Sequence, residues 1–181
     1  MKYVALLRAI NVGGKNLMRM SDVRACLEGH EFQHVSTYIQ SGNILFEANI
    51  SDVSTLAATI EHALAGTFGH TAPVFLRSHR QMKTIVANAP KEWKKGATLR
   101  RNIAFLRRPL TASKAVAAIE ATAGVDAIKA GDGVIYMSTV MARLTRSAFP
   151  KMVGKPIYRD MTIRSYSTCQ KILALMESES S

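Results

Sequence analysis

The sequence predicts an α+β protein made of two tandem β-α-β-β-α-β units, each followed by an extra helix. Three observations carry this. Apolar segments with a period near 2 and near 3.6 succeed one another in the same order twice along the 181 residues. A polar stretch, NAPKEWKKGATLR at 88–100, separates the two passes. Glycine turns punctuate each pass: Gly13-Gly14 and Ser41-Gly42-Asn43 in the first, Gly131-Asp132-Gly133 in the second. The expected organisation is a first unit with its helix at 1–88, a connection at 89–100, and a second unit with a terminal helix at 101–181.

The first strand is expected over residues 3–10, YVALLRAI. Tyr3, Ala5, Leu7 and Ala9 alternate with Val4, Leu6, Arg8 and Ile10. Both sets are mostly apolar, so the strand should be covered on both faces. Arg8 is the exception: either a structural arginine held by a partner, or a cation facing a ligand at the strand's end. After Gly13-Gly14 and Lys15-Asn16, a helix is expected over 20–28 with Met20, Val23 and Leu27 on one face. Ser21 or Asp22 is its expected N-cap and Gly29 its stop. VSTYIQ at 35–40 predicts the second strand, 41–43 a turn and 44–46 the return strand. A helix over 52–68 carries the stripe Val53, Leu56, Ile60, Ala63, Leu64 and stops at Gly69. PVFL at 73–76 is a short strand, and Ser78-x-x-Gln81 is a capping box that opens the extra helix.

The second pass repeats the order. NIAFL at 102–106 is a strand ended by Arg107-Arg108-Pro109, and Thr111 caps a helix reaching about residue 122. Residues 126–129 and 134–137 form a hairpin around Gly131-Asp132-Gly133. A helix is expected within 141–153, shortened or broken by Pro150. Residues 161–164 form the last strand, and Ser167-x-x-Gln170 caps a terminal helix with Cys169, Ile172, Leu173 and Met176 inward. This is the ferredoxin-like split β-α-β arrangement.

That topology places the first β-α connection and the β-β hairpin at the same edge of the sheet. Arg8, Asn11, Gly13, Gly14, Lys15, Asn16, Gln40, Ser41, Gly42 and Asn43 are therefore expected to cluster as ligand-binding residues. Glycine backbone N–H groups, a lysine and a following helix N-terminus suit a phosphate or carboxylate. Neither G-x-x-x-x-G-K-[ST] nor G-x-G-x-x-G occurs.

The chain is 48% hydrophobic, enough to build a core. No apolar run approaches the roughly 18 residues of a membrane span. Arg8 and Asn11 interrupt any signal-peptide core, and Cys26 and Cys169 are too few for a disulfide framework. A cytoplasmic protein of bacterial type without a membrane partner is expected. The net charge is +11, with 8 Lys/Arg against 6 Asp/Glu in residues 1–90 and 16 against 7 in residues 91–181. Arg101, Arg107, Arg108, Arg143, Arg146 and Lys155 are expected to form a basic surface able to attract polyanions.

YVALLRAINVGGKN, TYIQSGNILF and MTIRSYST together resemble the bacterial domain of unknown function 1697 family. Its pattern runs Y-x-x-L-L-R-G-I-N-V-G-G, then T-Y-I-Q-S-G-N, then T-x-R-N-W-N-T. Here Ala9 stands in place of a glycine, and Ser165-Tyr166-Ser167 in place of Asn-Trp-Asn. The resemblance implies two ferredoxin-like units and no established activity.

Other chemistries fit less well. A base-stacking platform needs aromatics on the first and third strands, and the third offers only Phe46. Cys26-x3-His30-x3-His34 lacks the ligands to complete a tetrahedral set, so no metal is expected. Ser41 has no histidine in either polar turn and no G-x-S-x-G elbow, so no nucleophilic site is assigned. No cofactor is expected. The leading reading is a binding protein for a phosphate-containing ligand, a nucleotide or nucleic acid. The alternatives are an enzyme on an anionic small molecule that uses Lys15 or Arg8 electrostatically, and a protein-interaction module without a pocket.

Overall fold

In the computed structural model, residues 1–11, 17–30, 32–50, 52–94 and 98–178 are described. The chain divides into two compact units, Met1–Met82 with Lys171–Ser181, and Lys83–Gln170. Each contains one four-stranded antiparallel sheet with helices, the expected fold class.

The first unit runs β1 (Lys2–Leu7), α1 (Met20–Glu28), β2 (Gln33–Tyr38), β3 (Asn43–Glu47), α2 (Val53–Phe68) and β4 (Val74–Ser78), followed by the extra helix α3 (His79–Ala87), which passes into the second unit after Met82. The sheet order is β2-β3-β1-β4, with Ala5 opposite Ile44 on one side and Leu76 on the other. Tyr3, Ala5 and Leu7 enter a core with Val23 and Leu27 of α1 and Leu56, Ile60 and Leu64 of α2. Val4 and Leu6, on the opposite face, are fully buried too, so β1 is covered on both sides.

Local chemistry sets the ends of these elements. Asp52 caps α2 by accepting from Ser54 and Thr55 N–H, and Gly69 closes it in the left-handed region at φ 72°. The Ser78–Gln81 capping box is reciprocal: Ser78 N–H donates to Gln81 Oε1 (2.9 Å), and Gln81 N–H to Ser78 Oγ (3.3 Å). Two expectations change. The first strand ends at Leu7 and not at Ile10, because Arg8 N–H donates to Pro73 O and Ala9 turns the chain at φ 57°. The N-cap of α1 is Arg19, which makes no side-chain cap, and not Ser21 or Asp22. Ser21 Oγ instead donates to Asp22 Oδ1.

The second unit runs β5 (Leu99–Leu106), α4 (Ala112–Ala118), β6 (Asp126–Ala130), β7 (Val134–Val140) and β8 (Met161–Ser165), followed by the start of α5 (Tyr166–Ser178), whose residues from Lys171 on belong to the first unit. Its order, β6-β7-β5-β8, repeats that of the first. Ala104, Ile135, Met137 and Met161 pack with Ala115 and Ile119 in its core.

Four expectations change here. The segment between β7 and β8 is no α-helix but three 3-10 segments, Met141–Arg146, Phe149–Gly154 and Pro156–Asp160. Pro150 and Pro156 each open a segment and lack the N–H that a continuous helix would need. The Asp126 carboxylate holds the run: Oδ1 accepts from Thr139 and Ser147 hydroxyls, and Oδ2 from Thr122 and Ala148 N–H. Helix α4 stops at Ala118, short of 122, because the Thr122 N–H is taken by Asp126 and Lys155 Nζ donates to Ala118 O (2.6 Å). Helix α5 is capped by Ser165, whose Oγ accepts from Thr168 N–H, and not by Ser167. Finally, the polar connection contains a 3-10 segment, Lys91–Lys94, whose Trp93 is buried.

Candidate functional site

The end of β1 meets the β2–β3 hairpin at one rim of the first sheet. Leu7 N–H donates to Gly42 O (2.8 Å). Asn11 ties the corner further. Its Oδ1 accepts from Met18 N–H (2.8 Å), and its Nδ2 donates to Met18 O (2.9 Å) and to Gln40 O (3.2 Å). One side chain thus pins the far end of the β1–α1 connection and the hairpin to each other. Asn43 is fully buried and does the same inside the hairpin, giving Nδ2 to Tyr38 O (3.0 Å) and Ser41 Oγ (2.9 Å).

The predicted ligand-binding residues therefore separate by role. Both amide N–H groups of Asn11, and both of Asn43, are committed to protein oxygens, so these residues position the corner. Gly42 sits at φ 73°, and a Cβ there would lie 2.8 Å from Leu7 Cβ and 2.7 Å from Ile10 Cδ1. Its glycine permits close packing against β1. Gln40 and Ser41 are exposed and Arg8 is half-buried. Gly13, Gly14, Lys15 and Asn16 lie outside the described residues.

Backbone strain gathers at the same corner. Ala9 (φ 57°), Asn11 (φ 54°) and Ile39 (φ 52°) all occupy the left-handed region. A β-branched residue there is a true outlier, held only when its surroundings over-determine it.

The second unit builds the same corner. Leu106 N–H donates to Gly133 O (2.9 Å) as Leu7 does to Gly42, and Arg107 N–H to Asp160 O (3.0 Å) as Arg8 does to Pro73. Arg107 and Arg108 are exposed at this rim. Arg143 and Arg146 lie at the other end of the sheet, after β7, where Met141 N–H meets Thr98 O. An eight-residue strand separates the two ends by about 23 Å. Arg143 also donates to Gly124 O and Lys155 to Ala118 O, and Arg101 is half-buried within β5. The six predicted basic residues thus form no single patch.

A separate concavity of about 480 Å³ opens on the second sheet, walled by Trp93, Tyr136 and Val140. Trp93 meets Tyr136 edge-on at 5.9 Å and Tyr166 at 5.0 Å. The Tyr136 hydroxyl donates to Ile85 O (2.8 Å) and is pushed up to about 12 by burial, with Tyr166, Cys169 and Asp132 adding to it. Nearby, burial pulls the Arg164 guanidinium down to about 10, and burial pushes the Cys169 thiol up to about 12 against the pull of Arg164. The sequence reading passed over this feature. Its one signal was Trp93, a large aromatic inside an otherwise polar stretch.

Among the described residues, no group of three His, Cys, Asp or Glu is placed to hold a metal. His30 Nδ1 bonds Cys26 O, and Cys26 Sγ lies 3.1 Å from Thr67 Oγ1. No helix among the described residues is long and apolar enough to cross a membrane.

Two four-stranded antiparallel sheets, each with its helices and each closed at the same corner by the same backbone bonds, define a tandem ferredoxin-like α+β protein. The chain belongs to the family described as protein of unknown function (DUF1697), which it matches over residues 1–136. It is similar in structure to the conserved bacterial protein SP0830 from Streptococcus pneumoniae, at 26% identity and a TM-score of 0.83, over 97% of this chain and 98% of that one. Among curated proteins no relative matches.

Proposed function

We propose that the rim of the first unit binds a phosphate-containing anion, a nucleotide or nucleic acid, between the β1–α1 connection and the β2–β3 hairpin. The observation that carries this reading is the Asn11 clamp, which joins the two corners through Met18 and Gln40. A clamp of this kind pre-organises the exposed Gln40 and Ser41 beside the segment that bears Arg8. Charge supports it: residues 8–20 contain Arg8, Lys15 and Arg19, and neither they nor residues 33–46 contain an Asp or Glu. Three left-handed non-glycine residues at one corner also fit a site where strain is maintained for a purpose. Free Cys26 and Cys169 fit a reducing, cytoplasmic compartment of a bacterial cell.

A second reading rests on Leu17 and Ile39, which are 67% and 50% exposed and flank the same corner. Apolar side chains at a polar rim suit a protein partner. Thermal shift at low salt, with inorganic phosphate, nucleoside mono- and triphosphates, and single- and double-stranded oligonucleotides, separates the two. The anion reading expects a rise in Tm that is lost in both Lys15→Ala and Arg8→Ala, and that for an oligonucleotide falls steeply with salt. A flat response across all these ligands rejects it. A partner captured by the wild type and by Lys15→Ala, but lost in Leu17→Ser/Ile39→Ser, favours the interaction reading.

A further inference from the structure

The second sheet leaves one regular strand edge unpaired. In the order β6-β7-β5-β8, β6 has a neighbour on one side only. The register fixes which of its backbone groups face outward. Val140 N–H donates to Val125 O (2.9 Å) and Gly131 N–H to Val134 O (2.9 Å), so the closely bonded pairs fall at residues 125, 127, 129 and 131. Ile128 and Ala130 stand between them and turn N–H and C=O away from β7. Asp126 does the same, but its N–H is taken by Thr122 O (2.8 Å). No hydrogen bond among the described residues reaches the backbone groups of Ile128 or Ala130. The first unit treats its corresponding edge differently. There β2 shifts register between Gln33 and Ser36, with His34 at φ 50°, an irregularity that blunts an edge against pairing. β6 pairs from Asp126 to Ala130 without a shift.

The concavity of about 480 Å³ runs beside this edge, lined by residues 125–129 in succession. Ala127 and Lys129 face the same side of the sheet as their partners Ser138 and Tyr136. Of the charged groups that line the concavity, the Asp126 carboxylate already accepts from four protein donors. Glu92 stands on the 3-10 segment, and Lys129 stands on the strand itself and is exposed.

We propose that β6 takes up an extended peptide of a partner protein as a fifth, antiparallel strand. Ile128 and Ala130 exchange backbone bonds with it, and the concavity receives its alternate side chains. One of these is acidic and lies opposite Lys129; the other, two residues on, is apolar and lies opposite the small Ala127. Read from its N-terminus, the peptide is therefore acidic-x-apolar. A second copy of this chain is the poorer occupant, because each copy carries a net charge of +11.

The test titrates the capped peptide Ser-Thr-Glu-Thr-Leu-Thr-Ser into the isotope-labelled full chain at low salt, followed by amide NMR. Binding is expected to shift the Ile128 and Ala130 amides and to slow their exchange. Two N-methylated peptides separate strand pairing from side-chain contact. Methylation of the threonine between Glu and Leu removes the N–H aimed at Ile128 O and should weaken binding by about tenfold or more, whereas methylation of Leu, whose N–H points away, should change it by no more than about twofold. Lys129→Glu should weaken binding by about two- to tenfold, and a peptide with Lys in place of Glu should reverse the effect. Ala130→Pro deletes one outward N–H and no ladder bond, so it should weaken binding while the protein still melts cooperatively. Failure of the wild type to bind the peptide overturns the proposal, as do equal losses from the two methylations or shifts that avoid β6. A dimer that protects the Ile128 and Ala130 amides without peptide would assign the edge to a second copy and overturn it too.

Discussion

At the scale of single residues, the rim of the first unit sets its own substitution rules. Ala9 occupies φ 57°, where an L side chain is disfavoured by about 1–2 kcal/mol and glycine is not. The family pattern places glycine at this position, and the backbone supplies the reason. Ala9→Gly relieves that strain but raises the entropy of the unfolded chain, so a net gain of about 0.5–1 kcal/mol is expected from the urea midpoint. Gly42→Ala goes the other way. It adds a Cβ against Leu7 at a positive φ, and a loss of about 1–3 kcal/mol is expected in the same experiment. The two thiols should also differ. Cys169 is buried with its thiol raised to about 12, whereas Cys26 is partly exposed. A thiol reagent at pH 8 should modify one thiol quickly in the native protein and both in guanidinium. The raised Cys169 means that the folded state holds its proton more tightly than the unfolded state. Stability from this group is intact below its ordinary value of 9.0 and is lost as pH climbs toward about 12. The stability gap between wild type and Cys169→Ala should therefore move in favour of the variant above pH 9, as read by denaturant midpoints. Equal slopes for the two proteins would contradict the burial of this thiol.

At the scale of elements, what could be read in advance followed local chemistry. The Gly69 stop and the Ser78–Gln81 box each depend on residues within a few positions, and each stands as expected. What escaped depended on distant partners. The 3-10 run between β7 and β8 is held by Asp126, which lies far from it in sequence. The rim shows the same division. Its turns were legible from glycine and polar residues, but not the commitment of the Asn11 amide to backbone carbonyls and of the Asn43 amide to Tyr38 O and Ser41 Oγ, which removes them as donors to a ligand. Asp126 makes the element-scale prediction. Burial pushes its carboxyl up, but the Ala148, Ser147, Thr139 and Thr122 donors outweigh burial and hold it below the ordinary 3.8. Its stabilising effect is thus present above that value and lost as pH falls through the lowered one. Asp126→Ala should cost about 1–3 kcal/mol, flatten the acid limb of the stability profile, and speed amide exchange at Ala148. An unchanged exchange rate there would mean that the carboxylate does not hold the run.

At the scale of the whole molecule, the two units repeat more than their element order. Leu-Arg ends the first strand of each, at Leu7-Arg8 and Leu106-Arg107, with matching backbone bonds. Arg-Ser ends the last strand of each, at Arg77-Ser78 and Arg164-Ser165. Arg77 Nη1 donates to Leu76 O (2.7 Å) and Arg164 Nη1 to Ile163 O (2.9 Å), so each arginine turns back on the residue before it. Both following serines cap a helix, and Ser78→Ala and Ser165→Ala should each cost about 1 kcal/mol in denaturant melts. The repeat is legible in sequence only once the structure aligns these dipeptides, since the intervening lengths differ. Charge does not repeat: the second half of the chain carries most of the +11 excess.

The packing of Trp93 against Tyr136 and Tyr166 has one practical result, because it is the chain's sole tryptophan. Emission excited near the red edge of indole absorption reports on the half built from Lys83–Gln170, while far-ultraviolet dichroism sums over both halves. Superimposable melting curves from the two signals would mark one cooperative transition, and divergent curves would give the order in which the halves come apart.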